Sequence, residues 1–310
     1  MASVKNCLGE YQDEYSGERI FIIGNGPSLA QTTLEKLNPE YTLGMNRINK
    51  IYPDTDWRPS LYYFPQSINN NSAPDTFSND NCLGENIQLG IPCFINSTYS
   101  NIISNEENVF FFDKFHLWGH NPFHNSSIHR IKQMPLNQLL EFWSDDISQH
   151  IYHYHAMYGA IQTAVFLGFK KIYLIGCDLG LPYINPHMVF ESGLDPYRYD
   201  SSKISYIKEA IQKGLLGRSI GNAITMKIIE LIENSKISIG NFLNNDQYHF
   251  TSTYLNKLMI SDGPKNEYEM RKSHIVSKRI CNSKNIGVYN ATAGGSLDIY
   301  ERVDLDSVIS

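Results

Sequence analysis

Residues Arg19 to Leu29 constrain this chain more than any other stretch. Arg19 to Ile23 is β-branched and aromatic, with no polar side chain after the first position, and it runs directly into Gly24-Asn25-Gly26-Pro27-Ser28. A short apolar run bounded by a glycine turn reads as a strand buried on both faces, which is the signature of a parallel sheet covered by helices. Ser28 stands where a helix N-cap belongs, so the sequence predicts a helix over about Leu29 to Leu37, stopped by Asn38-Pro39. Tyr41 to Met45 then supplies a second strand and completes a β-α-β unit.

Strand and helix signals continue in the same alternation. Leu61 to Phe64, Ile91 to Ile95 and Asn108 to Phe112 read as further strands, and Lys114 to Arg130 is aromatic and His-rich but aperiodic, which predicts an irregular loop. Asn69 to Asn81 is rich in Asn, Ser and Asp and reads as a surface excursion. Ala156 to Leu167, small and apolar, is a predicted helix ended by Gly168, followed by the apolar strand Lys171 to Ile175 and Gly176-Cys177-Asp178. The terminal part supplies a helix around Glu267 to Cys281, a strand Gly287 to Tyr289 and a tail Ser296 to Val303. The expected fold class is α/β: a Rossmann-like, mostly parallel sheet with helices on both faces and an inserted helical lid. Helical patterning in Tyr206 to Leu216 and Ala223 to Asn234 falls outside the sheet rhythm. The predicted division is therefore 1–182 and 246–310 for the nucleotide-binding domain, with 183–245 as the lid.

Composition narrows the function classes. A net charge of −6 without a run of Lys or Arg lacks the basic footprint that duplex nucleic acid requires. No stretch of 18 apolar residues and no signal-peptide pattern is present, so a soluble cytoplasmic protein is expected. The five cysteines (Cys7, Cys82, Cys93, Cys177, Cys281) have no metal-site spacing and are expected as reduced, buried thiols.

Several residue groups could carry chemistry. In the first turn, Gly24, Gly26, Pro27 and Ser28 would let a ligand approach the backbone, while the following helix would aim free N–H groups at a phosphate. The turn is neither the dinucleotide fingerprint, since GxGxxG fails at Leu29, nor a Walker loop, since no Gly-Lys-Ser/Thr follows. Asn46 and Asp178 lie past the second and central strands, where open α/β sheets bind ligands, and Tyr183 follows on the outgoing loop. A tight structural turn, an Asn-rich turn and a capping carboxylate are the plain alternatives for these positions. His153 and His155 precede the small-residue helix; contact with an anionic substrate or simple packing accounts for them better than a zinc site, which would lack a third ligand. His249, three residues after Asp246, is a candidate general base, with packing among aromatics as the equal alternative. Asp54-Thr55-Asp56 has the DxD form that holds metal-bound diphosphates, but it lies in what reads as a connecting loop.

Taken in order, these segments resemble the bacterial sialyltransferases of glycosyltransferase family 42, the Campylobacter lipooligosaccharide type. The similar segments are Phe21 to Leu29, Met45 to Ile48, Gly168 to Asp178 and Asn245 to Phe250. The resemblance implies a CMP-sugar donor, a glycan acceptor, no cofactor and a metal-independent inverting transfer in surface-glycan or lipopolysaccharide biosynthesis. Asn25 and Asn46 would face nucleotide and sugar, lid tyrosines would hold the departing phosphate, and a histidine would deprotonate the acceptor. A lipid-linked acceptor would bring the protein to a membrane surface, and a homo-oligomer is compatible with the sequence. The Gly-x-Gly-Pro-Ser-Leu start is also similar to a wider Rossmann-like group that includes archaeal hydroxymethylpterin diphosphokinases and flagellin-glycosylating proteins. An ATP- and magnesium-dependent pyrophosphoryl transferase and a nucleotide-binding module without chemistry are therefore the alternatives.

Overall fold

The computed structural model describes residues 7–67, 82–103, 106–116, 135–153, 155–179 and 263–310, of which 115, 116, 152, 153 and 263–269 are described by their backbone alone. Eight strands form one sheet in which every neighbouring pair is parallel. They are β1 (Arg19–Ile23), β2 (Tyr41–Met45), β3 (Leu61–Phe64), β4 (Cys93–Asn96), β5 (Val109–Phe112), β8 (Lys171–Ile175), β9 (Gly287–Asn290) and β10 (Glu301–Arg302), in the order β10-β9-β8-β1-β2-β3-β4-β5. This is the Rossmann-like α/β sheet that the sequence predicts. The strands on either side of 183–245 share it, since β9 pairs with β8.

Both faces of the sheet are covered, which explains why its strands are apolar throughout rather than alternating. On one face Ile20, Ile22, Leu43, Met45, Leu61 and Tyr63 pack with Ala160, Ile161 and Ala164 of the helix α3 (Ala156–Phe166) and with Cys281 of the long helix α4 (Gly263–Ser283). On the other, Phe21, Ile23, Tyr62 and Phe64 pack against Leu29, Leu34, Leu37, Ile51 and Leu83, the last from α1 (Cys82–Gln88), with Val308 and Ile309 of the terminal helix α5 (Leu305–Ile309) beside them. α3 is buried on nearly all sides, which is why its composition is small and apolar without an amphipathic stripe. Gly168, at φ +96°, ends the turn that follows it.

Two sequence expectations are corrected. Leu29 to Leu37 is not one helix: two short 3₁₀ turns, Pro27–Gln31 and Leu34–Leu37, are separated by Thr32 in extended conformation. Apolar residues at 29, 34 and 37 anchor to the sheet from these turns, and the intervening Thr32-Thr33 pair disfavours helix. Lys114 to Arg130 does not begin as irregular loop, because Lys114–His116 forms β6, which pairs in parallel with β7 (Ile151–His153). A short helix, α2 (Leu136–Leu139), precedes β7. The remainder of that stretch, the excursion over 69–81 and the predicted lid with its helices Tyr206 to Leu216 and Ala223 to Asn234 lie outside the described residues. All five cysteines are free; four are buried and Cys7 is exposed. Among the described residues no helix is long and apolar enough to cross a membrane.

Candidate functional site

The chain leaves β1 towards β2 through β5 on one side, and reaches β8, β9 and β10 on the other. β1 and β8 therefore flank the point where the strand order reverses, and their carboxyl ends border the crevice in which open α/β sheets take up ligands. Ile23 is level with Ile175, so the Gly24 turn and the Gly176-Cys177-Asp178 segment emerge side by side.

The two segments are zipped together. The N–H of Gly24 donates to Ile175 O at 2.7 Å, and that of Gly26 donates to Gly176 O at 2.8 Å. Asp178 Oδ2 accepts from both the backbone N–H of Ser28 (3.1 Å) and its hydroxyl (2.8 Å). A Cβ at position 24 would stand 2.5 Å from Gly176 O, and one at 26 would collide with the Asp178 carboxylate, so glycine is needed at both for the approach. The N–H of Leu29 is taken by Gly26 O. The expected row of free amides at a helix N-terminus is thus replaced by internal bonds, with Asp178 where an incoming anion would meet Ser28. With the N–H groups of Gly24, Gly26, Ser28 and Leu29 occupied, side chains become the more prominent groups to face a ligand.

Asn25 is the first of these. Its Nδ2 donates to Met45 O at 3.0 Å, tying the turn to the end of β2, while Oδ1 is buried without a hydrogen-bond partner. A buried carbonyl oxygen without a donor carries a desolvation cost of about 1–3 kcal/mol, which a ligand hydroxyl or amine would relieve. Asn46, one strand over, adopts φ +51°, a left-handed conformation that asparagine tolerates better than most residues. Its N–H donates to Tyr63 O at 3.3 Å and its carbonyl accepts from the Tyr62 hydroxyl. Asn25 and Asn46 therefore stand at adjacent strand ends, and the structure adds the link between them through Met45.

His155 is the N-cap residue of α3, though its side chain does not cap the helix. It hydrogen-bonds the backbone of Met270 on α4, and Nε2 is buried without a partner. Its ring centroid lies 5.1 Å from that of His274, whose Nδ1 is 3.1 Å from the Tyr300 hydroxyl. Burial lowers the pKa of both imidazoles, that of His155 to about 3. A neutral His155 can accept a hydrogen bond at Nε2 but offers an anion no charge. His153 sits opposite His116 in the β6–β7 pair, and its side chain is outside the described set, as are Tyr183 and His249 entirely.

Asp54-Thr55-Asp56 lies at the opposite edge. Thr55 Oγ1 bonds Glu35 at 2.5 Å, and the chain then enters β3 through Ser60, whose Oγ accepts from the N–H of Thr42 near the start of β2. These are amino-terminal strand ends, so the DxD form faces away from the crevice, in keeping with its reading as connecting loop. Among the described residues no three His, Cys, Asp or Glu side chains come together as a metal site.

No known family model matches the sequence, and no curated protein matches it. Among solved structures, the chain is similar to one described as the MAf glycosyltransferase from Magnetospirillum magneticum AMB-1, with a TM-score of 0.43 and 11% identity. The match covers 96% of this chain and 37% of the other, so this chain spans a little over one third of that protein's length. The resemblance to family 42 sialyltransferases continues to rest on the segments quoted above.

Sequence reasoning passed over three residues at this edge. Tyr63, on β3, buries a hydroxyl with no partner. It fits beneath α3 only because position 159 is glycine: a Cβ there would lie 2.9 Å from Tyr63 Cζ and closer still to the hydroxyl. The signal was available, since a tyrosine inside an apolar strand must find a partner for its hydroxyl or go without. His274 and Lys114 sit in segments whose patterning carries no motif.

Proposed function

We propose that this protein is a glycosyltransferase that moves an acid sugar, sialic-acid-like or Kdo-like, from a CMP-activated donor to a glycan acceptor by metal-independent inverting transfer. The observation that carries the reading is the pairing of Asn25 and Asn46 at adjacent strand ends beside the β1–β8 reversal, with Asn25 Oδ1 buried and without a donor. Among the described residues, Asn25 Oδ1 is an acceptor without a donor and the Asn46 amide beside it is held only by a long 3.5 Å contact from Gln66 Nε2, which suits the hydroxyl- and amine-rich edge of a nucleotide sugar better than a bare phosphate. The ordered sequence resemblance supplies the donor class. In this reading Asp178 holds the Gly24 turn in place through Ser28, and the turn's residues contact the nucleotide chiefly through Asn25.

Tyr183 and His249 enter the reading through the sequence alone. A phenol that donates to the leaving phosphate stabilises charge as it develops, and a histidine that accepts the acceptor's proton raises its nucleophilicity. Replacing His249 by Ala should accordingly lower turnover far more than donor binding.

The test is a thermal-shift panel of CMP, UDP, GDP and ATP, each with and without Mg²⁺, since a ligand that binds the native state raises its melting temperature. Stabilisation by CMP independent of the metal supports the proposal. A response confined to ATP with Mg²⁺ would replace it with the pyrophosphoryl-transfer alternative, and nucleotide binding without transfer to any glycan would leave a binding module.

A further inference from the structure

Lys114 opens β6 directly after the end of β5, and its half-buried side chain turns back over the carboxyl edge of the sheet. Its Nζ donates to the carbonyl of Pro65, just past β3, and Pro65 O also receives Asn96 Nδ2 at 3.4 Å. An ammonium has three N–H groups to place, and among the described residues this one has a single acceptor and no carboxylate partner. The adjacent Asp113 is directed elsewhere, its Oδ1 taking the Ser97 hydroxyl at 2.5 Å. Withdrawing a cation from water without a counter-charge is costly, and structural lysines avoid it by pairing or by reaching solvent.

The position of this amine gives it a use. Pro65 lies two residues beyond Tyr63, about 7 Å along the strand. The Tyr63 hydroxyl meets α3 at Gly159, one turn from its start, and β7, the partner of β6, leads into the α3 N-cap. Lys114, the first turn of α3 and the ends of β2 and β3 therefore border the same part of the carboxyl edge, next to Asn46. α3 is 11 residues long, and the partial positive charge at its start adds to that of the lysine.

We propose that Lys114 is a specificity-determining residue that binds an oxyanion of the substrate, either the phosphate or the sugar carboxylate of the donor. This rests on the reading of the site as one for a CMP-activated acid sugar. Burial lowers the Lys114 pKa to about 8, so the amine is still protonated at neutral pH and gains most from an anion that enters with it. Binding to such a charged acceptor supplies the remaining N–H groups with partners and the cation with a counter-charge that it lacks among the described residues.

The experiment compares the full chain with Lys114→Met and Lys114→Arg by calorimetric titration of cytidine, CMP and CMP-N-acetylneuraminate, with inorganic phosphate followed by thermal shift. Lys114→Met is expected to weaken CMP, CMP-N-acetylneuraminate or both by about 10- to 100-fold, leave cytidine unchanged, and melt no lower than the parent, since it removes a half-buried charge that has no carboxylate partner among the described residues. Lys114→Arg should recover part of the loss. A loss already complete with CMP assigns the phosphate, whereas one confined to CMP-N-acetylneuraminate assigns the carboxylate. Equal affinities for all ligands, or an equal loss for cytidine with a lower melting temperature, would overturn the assignment and leave the donor reading standing. If no cytidine ligand binds the parent, the donor reading fails. Lys114 then stands or falls on whether phosphate stabilises the parent and not Lys114→Met.

Discussion

The carboxylate of Asp178 grips Ser28 twice, through backbone N–H at 3.1 Å and hydroxyl at 2.8 Å, across 150 residues of chain. One side chain thereby fixes the first strand's turn against the end of β8, and it does so at the place where a phosphate would otherwise bind backbone.

If that grip is a coupled pair, Asp178→Ala should destabilise the fold by about 1–3 kcal/mol, because it strands both the N–H and the hydroxyl of buried Ser28, whereas Ser28→Ala should cost only about 0.5–1.5 kcal/mol, since Asp178 keeps the backbone N–H. The double variant should cost less than the sum of the two, with an interaction energy of at least about 0.5 kcal/mol. Urea midpoints of the four proteins give the cycle directly, and strict additivity would show that the two residues act apart.

Tyr63→Phe removes a buried hydroxyl that has no partner. The variant is expected to be as stable as the parent or more stable by up to about 1 kcal/mol, read by thermal or urea unfolding. Gly159→Ala should destabilise by more than about 2 kcal/mol, since the new methyl meets the tyrosine ring. Combining the two should recover part of the loss. A destabilised Tyr63→Phe would mean that the hydroxyl is bonded in solution.

His155 and His274 should make the fold acid-sensitive in a defined window. Both have pKa values lowered by burial, so below the unfolded value of about 6.5 the unfolded chain takes up protons that the native state refuses. The stability contributed by the neutral rings is whole above pH 6.5. For His155 it is lost as pH falls towards 3, at about 1.4 kcal/mol per pH unit, and the His274 ring adds to the loss in the same direction. Urea unfolding between pH 7 and pH 5 should show a slope that becomes shallower in a His155→Gln variant. An unchanged slope would place His155 in contact with water.

Asn25→Ala should weaken CMP binding by about tenfold or more while changing the melting temperature of the free protein little, since the orphaned Oδ1 goes together with the bond to Met45. Asn25→Asp keeps the shape and adds a charge where a phosphate would approach, so it should bind no better than Asn25→Ala. Calorimetric titration decides both, and parent-like affinity in Asn25→Ala would remove this residue from the site.

Much of the scaffold was legible because local and global preferences agree there. Arg19–Ile23 and Lys171–Ile175 are apolar on both faces, as only a covered parallel strand requires, and Ala156–Phe166 is small where a helix must lie close to a sheet. After Ser28 the apolar spacing imitates a helix, while the actual form follows from anchoring three leucines to the sheet through two short turns. The asparagines were visible as residue types at strand ends. That the turn's amides are spent on Gly176 and Asp178 was not, since it depends on a pairing between segments far apart in sequence. Lys114 was invisible for a similar reason: nothing near it in the chain shows that its amine ends on Pro65.

The sheet order has a consequence for how the protein is made. β1 lies between β2 and β8, so during vectorial synthesis one of its edges has no native partner until β8 is translated. At about 5–20 residues per second, the 150 residues that separate Ser28 from Asp178 take on the order of ten seconds to emerge. For that time a fully apolar strand, Ile20 to Ile23, is exposed along one edge in the crowded surroundings of the ribosome, where strand edges recruit other chains. Yield on overexpression should then depend on translation speed and on chaperones more than the stability of the finished fold would suggest.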